Sequence, residues 1–285
     1  MIEIFIPVVN RPDFLSKQIN LFSKYFKSDY RLNVVIDTKD KKIIDSFLFI
    51  CSKNKINFFK KPYRKISDPA YACEDTIDWI INELIYKTYS KSKVLILDSD
   101  MFLINDFDFK NYASNFKIIG VIQYRKNIQY LWNGIIFLNM IELNKFEDKI
   151  SFKIINNKNI KTDVGGETYL FLNKYKNVLT KIIDVEYPIK YQDIDLIKSN
   201  KNYNFELYLN KTFFHYRSGT NWFGLFWKMK NEPLKKKLEI FEKIYIDAIN
   251  SNVSSKFICK KSNEDITIKD SYLKKFFLKI FRMIL

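Results

Sequence analysis

The sequence predicts an α/β fold with a mostly parallel central sheet flanked by helices. Short apolar runs alternate with segments of helical periodicity through the first hundred residues, and polar residues directly follow several of the runs. Such runs are typical of parallel strands that are buried on both faces by the intervening helices. The 285 residues include 47% hydrophobic residues but only six glycines and six prolines, which favours a large core with few flexible linkers.

The elements of the first half are predicted in strand–helix order. Strands are expected at residues 2–9, 32–36, 57–59 and 94–97, and helices at 14–26, 43–51 and 68–86. Asp68 is the predicted N-cap of the third helix and Pro69 its predicted first helical residue. Ligands of such folds bind at the carboxyl ends of the parallel strands. We therefore expect residues 8–11, Asp37 and residues 98–100 to converge on one crevice.

The second half is less regular. Strands are predicted at residues 117–123, 134–139 and 213–216, and helices at 168–177, 232–250 and 269–285. The compact pattern gives way to helices near residue 230. We therefore divide the chain into a domain of residues 1–230 and a helical C-terminal extension of residues 231–285.

The charge balance points to anionic partners. A formal net charge of +16 attracts polyanions, but the lysines are scattered and no nucleic-acid-binding motif is present. We therefore expect an anionic substrate and an anionic membrane surface, and no nucleic acid. Three widely spaced cysteines indicate a reducing compartment. Without a signal-peptide pattern or a long apolar stretch, the expected location is cytoplasmic.

The segment 94–102 carries the most chemical information. A buried strand delivers two carboxylates, Asp98 and Asp100, to its carboxyl end. Buried carboxylates without partners cost several kcal/mol, and the usual compensation is a divalent cation held by oxygen ligands. A metal ion there can neutralise a departing diphosphate. The alternative is a strand-end turn whose aspartates cap the next element.

Several segments in the same order resemble the GT-A class of glycosyltransferases, which has a Rossmann-like fold. Residues 6–12 are similar to its first nucleotide-binding loop, 34–37 to its second strand, and 97–100 to its metal-binding Asp-x-Asp. The resemblance covers roughly residues 1–225. It implies that the following residues bind a nucleotide-sugar, expected to be UDP-linked: Pro7, Val8, Asn10, Arg11, Asp37, Asp98, Ser99, Asp100, Gly134 and Arg217.

Three further segments resemble the family 8 retaining transferases. Residues 132–139 are similar to the Asn-Ser-Gly segment of that family, 162–168 to its acidic acceptor-side loop, and 215–222 to its His-x-x-Gly-x-x-x-Trp segment. The resemblance implies a metal site of Asp98, Asp100 and His215 that holds Mn²⁺ or Mg²⁺. It also implies transfer of a hexose to a glycan or glycolipid acceptor.

His215 is the only histidine in the chain. Neutral imidazole is a competent metal ligand, although a lone histidine is more often a structural residue. His215 opens a polar loop after an apolar pair, and with the resemblance we expect it to be a ligand. Arg217 would then bind diphosphate oxygens through its guanidinium. A surface arginine is the alternative.

The candidates for transfer chemistry are Asp163, Glu167 and Asn133. Glycosyl transfer passes through an oxocarbenium-like transition state and needs a carboxylate or amide near the anomeric carbon or the acceptor hydroxyl. Two glycines between Asp163 and Glu167 are expected to let the backbone approach a sugar closely. For Glu167, the start of a helix is an equal alternative to a catalytic role. For Asn133, the alternative is a turn at the start of a strand.

Aromatic residues near Asn133 are candidates for stacking on the acceptor sugar. They are Tyr124, Tyr130 and Trp132. Since the chain contains 18 tyrosines, packing within the core is the alternative.

The last fifteen residues show helical spacing of apolar side chains with lysines largely off that stripe. The pattern is typical of a helix in the interface of an anionic membrane, and residues 271–285 are the predicted contact. A helix docked on the protein's own core is the alternative. For the whole chain the competing functions are a nucleotidyltransferase and a non-catalytic sugar- or membrane-binding protein.

Overall fold

A computed structural model describes residues 1–198, 201–202, 204–217, 231–251 and 253–260. The strands are β1 (Ile2–Val8), β2 (Tyr30–Ile36), β3 (Asn57–Lys60), β4 (Lys93–Leu97), β5 (Met101–Leu103), β6 (Ile118–Arg125), β7 (Ile128–Asn139), β8 (Leu179–Ile182), β9 (Val185–Tyr191), β10 (Ile194–Asp195), β11 (Ile197–Lys198), β12 (Lys201–Asn202), β13 (Glu206–Tyr208), β14 (Phe213–His215) and β15 (Phe257–Lys260).

The helices lie between and around these strands. They are α1 (Pro12–Tyr25), α2 (Lys41–Lys53), α3 (Pro69–Trp79), α4 (Tyr86–Thr88), α5 (Phe109–Tyr112), α6 (Met140–Leu143), α7 (Thr168–Lys174) and α8 (Asn231–Asn250). A π-helix over Ile80–Ile85 joins α3 to α4, so the predicted helix 68–86 is continuous. The predicted cap is confirmed, because Asp68 accepts a hydrogen bond of 2.8 Å from the Ala70 amide and Pro69 opens the helix.

The central sheet has seven strands in the order β3-β2-β1-β4-β7-β6-β8. The first four are mutually parallel, β7 runs antiparallel to both neighbours, and β8 is parallel to β6. The predicted fold class is therefore confirmed. Strand residues alternate between two cores: Ile4 and Ile6 pack with α1 and α2, while Phe5 and Ile96 pack with α3 and the π-helix.

A second sheet is antiparallel and has the order β10-β9-β13-β14-β5, with β15 also paired to β9. Strand β5 starts immediately after Asp100, and its partner β14 places His215 opposite Met101. This pairing brings residues that are more than a hundred positions apart to one place. The sequence did not predict β5, β8 to β13 or β15. All of these strands except β9 have four residues or fewer and carry little periodicity, whereas the seven-residue alternation of β9 was missed.

Helix α8 confirms the helix predicted at residues 232–250. It packs on α1: Lys24 donates to the carbonyls of Ala248 and Ile249, and Lys17 pairs with Glu242 at 3.2 Å. The proposed domain boundary near residue 230 and the predicted helix at 269–285 lie outside the described residues. No helix in the described part of the chain is long and apolar enough to cross a membrane.

Candidate active site

The carboxyl end of β4 fixes the backbone of Asp98. The Asp98 amide donates to the Gly134 carbonyl at 2.9 Å. The side-chain amide of Gln18, fully buried on α1, donates to the carbonyls of Asp98 and Met101 at 3.0 and 2.8 Å. The Asp100 carbonyl accepts from the Tyr216 amide at 2.9 Å. The turn that carries both aspartates is therefore held by contacts from three separate parts of the chain. The role of Gln18 could not be predicted from the sequence, because no motif marks this residue.

Three candidate metal ligands converge at this turn. One ligand atom from each of Asp98, Asp100 and His215 lies within 4.8 Å of the other two. The His215 Nε2 is 3.2 Å from the Asp100 Oδ1, and both side chains are buried. Two carboxylates and one imidazole form a donor set that suits Mn²⁺, or Mg²⁺ with additional water ligands. The residues present therefore fit the metal ion that the sequence resemblance implies.

The electrostatics of this cluster also favour a cation. Burial and the neighbouring Asp100 raise the pKa of Asp98 to about 7, although His215 opposes the shift. Burial alone lowers the pKa of His215, but Asp100 and Glu206 outweigh it and raise the pKa to about 10. The carboxylates are thus crowded around one imidazole. A divalent cation would relieve the repulsion between them and let both ionise.

Glu206 stands behind His215 and was not among the predicted site residues. It lies opposite His215 in the β13–β14 pairing, and its Oε2 is 2.9 Å from the His215 Nδ1. The same oxygen accepts from the Tyr208 hydroxyl at 2.7 Å, and Oε1 lies 3.3 Å from the Arg217 guanidinium. Burial opposes ionisation, but His215, Arg217 and Tyr208 together lower the pKa of Glu206. The only feature of the sequence that could have indicated this role is an acidic residue, Glu206, between the apolar residues Phe205 and Leu207.

A cavity of about 760 Å³ opens above the three candidate ligands. Of the predicted residues outside the metal set, Asn133, Asp163 and Arg217 line it. An aromatic wall also contributes: Trp132 stacks on Tyr208 with ring centroids 5.5 Å apart and an interplanar angle of 18°. The cavity therefore combines an acidic floor, an arginine and flat apolar surfaces, which are the groups expected to contact a phosphorylated sugar.

The β7 residues that surround the cavity have different environments. Asn133 is buried, and its amide donates to the Cys73 sulfur at 3.4 Å. Gly134 does not line the cavity, and a Cβ added there would lie 2.1 Å from the Trp132 ring. Gly134 therefore makes room for the indole. Tyr130 is fully buried, which agrees with the alternative of packing within the core. Tyr124 is 61% exposed.

The turn that follows Asp163 differs from expectation in what its glycines do. Gly165 has a φ of +100°, and an added Cβ would meet the Leu131 carbonyl oxygen at 1.9 Å. A Cβ added at Gly166 would lie 1.9 Å from the Thr162 hydroxyl oxygen. Both glycines therefore make room for the protein's own chain, and neither lines the cavity. Their expected close approach to a sugar stays a prediction.

The two acids that flank these glycines point to different places. Asp163 lines the cavity above the three candidate ligands. Glu167 accepts a hydrogen bond of 2.7 Å from the Ser151 hydroxyl and lines a separate concavity on the other side of the turn. The structure therefore brings Asp163, and not Glu167, to the candidate metal site.

The first loop and Asp37 lie beside each other, as predicted, but outside the cavity lining. The Asp37 amide donates to the Val8 carbonyl at 2.9 Å. The Asp37 carboxylate is bound by the Lys61 ammonium at 3.4 Å and by the Thr76 hydroxyl. Arg11 pairs with Asp13 at 2.6 Å. These side chains are already partnered within the fold.

The remaining predicted contacts of the nucleotide-sugar also lie off the cavity lining. They are Pro7, Val8, Asn10 and Ser99. Ser99 is buried between the two aspartates of the turn.

No protein-family model matches the chain, and a search of curated proteins finds no match. Solved structures to which it is similar include glycosyltransferases of the GT-A type. The galactosyltransferase LgtC in complex with donor and acceptor sugar analogues is 11% identical, with a TM-score of 0.37 over 51% of this chain and 60% of LgtC. The mannosyltransferase PcManGT from Pyrobaculum calidifontis in complex with GDP-Man and Mn²⁺ is 8% identical, with a TM-score of 0.36 over 53% of this chain and 47% of PcManGT.

A third similar structure is the bifunctional glycosyltransferase WbbM, 11% identical with a TM-score of 0.34 over 50% of this chain and 32% of WbbM. The chain thus covers at most 60% of the length of each of these proteins. At these TM-scores the likeness carries no argument about the fold, the substrate or the mechanism of this chain.

Proposed function

We propose that this protein is a metal-dependent glycosyltransferase that moves a hexose from a nucleotide-sugar to a glycan or glycolipid. The observation that carries the proposal is the convergence of Asp98, Asp100 and His215 within 4.8 Å on the floor of a cavity. A group of that composition at the carboxyl end of a parallel strand suits a cation that holds a diphosphate.

The metal ligands in this proposal are Asp98, Asp100 and His215. Manganese or magnesium bound there would supply Lewis-acid stabilisation to the leaving diphosphate. The protein's own contribution is to hold the three ligand atoms close together, through the Asp98 and Asp100 backbone contacts and through the β5–β14 pairing. Because the ligand geometry is built into the fold, little reorganisation is needed when the donor binds.

Arg217 is the proposed diphosphate-binding cation of the cavity. Its guanidinium is half exposed and lines the cavity, while one nitrogen is anchored 3.3 Å from the Glu206 carboxylate. The backbone of Arg217 has a φ of +64°. The Lys237 ammonium, on α8, donates to the Arg217 carbonyl at 3.0 Å and supports this left-handed conformation. The remaining guanidinium nitrogens are available for phosphate oxygens.

Asp163 is the proposed catalytic carboxylate, and Asn133 the proposed contact of the donor sugar. Both line the cavity with the metal cluster, and Asp163 raises the pKa of Asp98, as expected for a neighbouring negative charge. A carboxylate at this place can activate an acceptor hydroxyl or support an oxocarbenium-like transition state. Glu167 lies on the other side of the turn and is left with a structural role at Ser151.

The finer identity of the substrates is part of the same proposal. A UDP-sugar is the proposed donor, on the sequence resemblance alone, with the first loop and Asp37 on the base side. The aromatic wall of Trp132 and Tyr208 offers flat apolar surface to a sugar ring. A lipid-linked acceptor agrees with the net charge of +16 and with the basic, apolar composition of residues 271–285.

A donor screen tests the proposal. The full-length protein is incubated with UDP-, GDP-, CMP- and dTDP-sugars and Mn²⁺, with and without EDTA, and release of the nucleotide is measured. We expect slow hydrolysis of one sugar nucleotide that EDTA abolishes. The change Asp106→Asn provides a matched control, because this carboxylate pairs with Lys27 at the surface.

The alternative functions give different results in the same assay. A nucleotidyltransferase would release pyrophosphate from a nucleoside triphosphate and leave sugar nucleotides intact. A non-catalytic binding protein would show a melting shift with a glycan but no metal-dependent turnover. The absence of both turnover and a melting shift with every nucleotide plus Mn²⁺ would reject the proposed function.

A further inference from the structure

The buried carboxylate of Glu206 has no place in the transfer chemistry, yet it contacts two residues of the proposed site. Only a tenth of its side chain is exposed. Its Oε2 is 2.9 Å from the His215 Nδ1, and its Oε1 is 3.3 Å from the Arg217 guanidinium. One side chain therefore touches both a proposed metal ligand and the proposed diphosphate-binding cation. It does so from the side that faces away from the Asp98–Asp100 turn.

The contacts of Glu206 dictate how the imidazole is protonated. An ionised carboxylate only accepts hydrogen bonds, so each atom that faces it must carry a proton. The Tyr208 hydroxyl and the Arg217 guanidinium are both donors to this carboxylate. The third partner, the His215 Nδ1, must therefore also donate. With the proton fixed on Nδ1, the nitrogen that turns towards Asp100, 3.2 Å away, is Nε2.

The fold keeps this arrangement in place. Glu206 and His215 are direct neighbours in the antiparallel β13–β14 pair. The imidazole is also bordered by two aromatic rings, since the Trp132 ring centroid is 5.2 Å and the Tyr208 ring centroid 6.1 Å from its own. The ring cannot turn over without breaking the Glu206 contact and displacing the aromatic wall.

We propose that Glu206 is a positioning residue: it holds the Nδ1–H of His215 so that Nε2 is the nitrogen that faces the Asp98–Asp100 cluster, and it anchors Arg217 at the same time. The proposal rests on the proposed function for its metal. Carboxylates that orient a metal-binding imidazole in this way typically contribute 10- to 100-fold in metal affinity. Glu206 would thus couple the metal site to the diphosphate site through its contacts with His215 and Arg217.

Nuclear magnetic resonance tests the orientation directly, because His215 is the only histidine in the chain. Full-length protein labelled with [¹⁵N]histidine gives the signals of a single imidazole. We expect a protected Nδ1–H resonance both without metal and with diamagnetic Mg²⁺, and a shift of the Nε2 resonance when Mg²⁺ is added. A wild-type protein whose Nδ1 carries no proton would overturn the proposal.

Variants connect the orientation to metal binding. Mn²⁺ affinity is measured from the free-Mn²⁺ electron paramagnetic resonance signal, and folding is checked by thermal melting. We expect Glu206→Leu to lose the protected Nδ1–H resonance and to bind Mn²⁺ about 10- to 100-fold more weakly. Glu206→Gln keeps the side-chain volume and one acceptor oxygen. Its affinity for Mn²⁺ should therefore lie between that of the wild type and that of Glu206→Leu. It also supplies the test if Glu206→Leu does not fold.

The matched control is Glu83→Gln, which removes an exposed carboxylate paired with Lys87 and should change neither readout. A folded Glu206→Leu variant with wild-type Mn²⁺ affinity would overturn the proposal. One further result would separate the positioning role of Glu206 from the proposed function of the protein. If the wild type binds no Mn²⁺ but its Nδ1–H resonance is present and depends on Glu206, the positioning is supported and the metal-dependent function is rejected.

Discussion

The two sheets of this protein supply opposite halves of the candidate site. The central sheet delivers Asp98 and Asp100, two acids separated by one residue at the end of a buried parallel strand. The antiparallel sheet delivers the basic groups, His215 and Arg217, together with Glu206 that holds them. The acidic half is local in sequence, whereas the basic half depends on strand pairing. Neither half contains a complete metal or diphosphate site.

The strongest test of this comparison is to remove one metal ligand from each half. We expect Asp100→Asn and His215→Ala each to abolish measurable Mn²⁺ binding and to lower metal-dependent turnover by about 10³-fold. The reason is that a bound metal ion supplies several kcal/mol of charge stabilisation. Mn²⁺ titration and steady-state rates provide the measurements. If His215→Ala kept full Mn²⁺ affinity, the antiparallel half would not be part of the site.

The second test breaks the packing that joins the halves. Phe241 on α8 is buried, with ring centroids 5.2 Å from Phe14, 4.6 Å from Phe102 and 5.3 Å from Tyr216. Phe241→Ala should lower the free energy of unfolding by about 3–5 kcal/mol, as measured by denaturant titration. On the same helix Ile246 is 55% exposed, so Ile246→Ala should cost less than about 0.5 kcal/mol. Equal losses would contradict the packing role of Phe241.

The third test concerns the turn between Asp163 and Glu167, which belongs to neither sheet. Asp163→Asn should lower turnover by about 10²-fold while leaving Mn²⁺ affinity nearly unchanged, because Asp163 lines the cavity without belonging to the ligand set. Glu167→Gln is the matched control and should keep most of the activity. Steady-state kinetics with the donor found in the screen separate the two. A larger loss of turnover in Glu167→Gln than in Asp163→Asn would instead identify Glu167 as the catalytic carboxylate.

The last test concerns a pH dependence at Lys237 on α8, which donates to the Arg217 carbonyl of the basic half. Burial lowers the pKa of Lys237 to about 7, below its value of about 10.4 in an unfolded chain. Between these values the unfolded chain binds a proton that the folded protein does not, so this lysine makes stability rise with pH. Below pH 7 its full burial cost is present.

Replacement of that lysine isolates its contribution. The stability of Lys237→Met relative to the wild type should be greatest below pH 7. It should then fall by up to about 1 kcal/mol per pH unit towards pH 10. Denaturant titrations at several pH values measure the difference, in which the other titrating groups largely cancel. A difference that does not change with pH would show that Lys237 stays charged in the folded protein.

The predictability of the fold followed the same division between the two sheets. Strands β1, β2, β3 and β4 and helices α1 to α3 were predicted with small errors at their ends, because runs buried on both faces and capped helices are local signals. The strands of the antiparallel sheet were mostly missed. All of them except β9 have four residues or fewer, and several are stabilised by partners that are distant in sequence, as with β5 and β14.

The candidate site was predicted only in part. The sequence indicated Asp98, Asp100 and His215 as ligands, and their atoms do lie together. It gave no sign that Asp37 would be neutralised by Lys61, or that Glu167 would face Ser151. These outcomes depend on which charged side chain the fold places beside each acid, and spacing along the chain does not encode that.

The sequence by itself determined the parallel α/β framework and the delivery of two carboxylates to a strand end, since both arise from interactions between near neighbours in the chain. Only the tertiary structure decided which residues complete the site. Glu206 became the anchor of His215 because antiparallel pairing sets them opposite each other, and Gly134 had to be a glycine because Trp132 folds over it. A single carboxylate or glycine in the sequence looks the same whether or not such a partner exists.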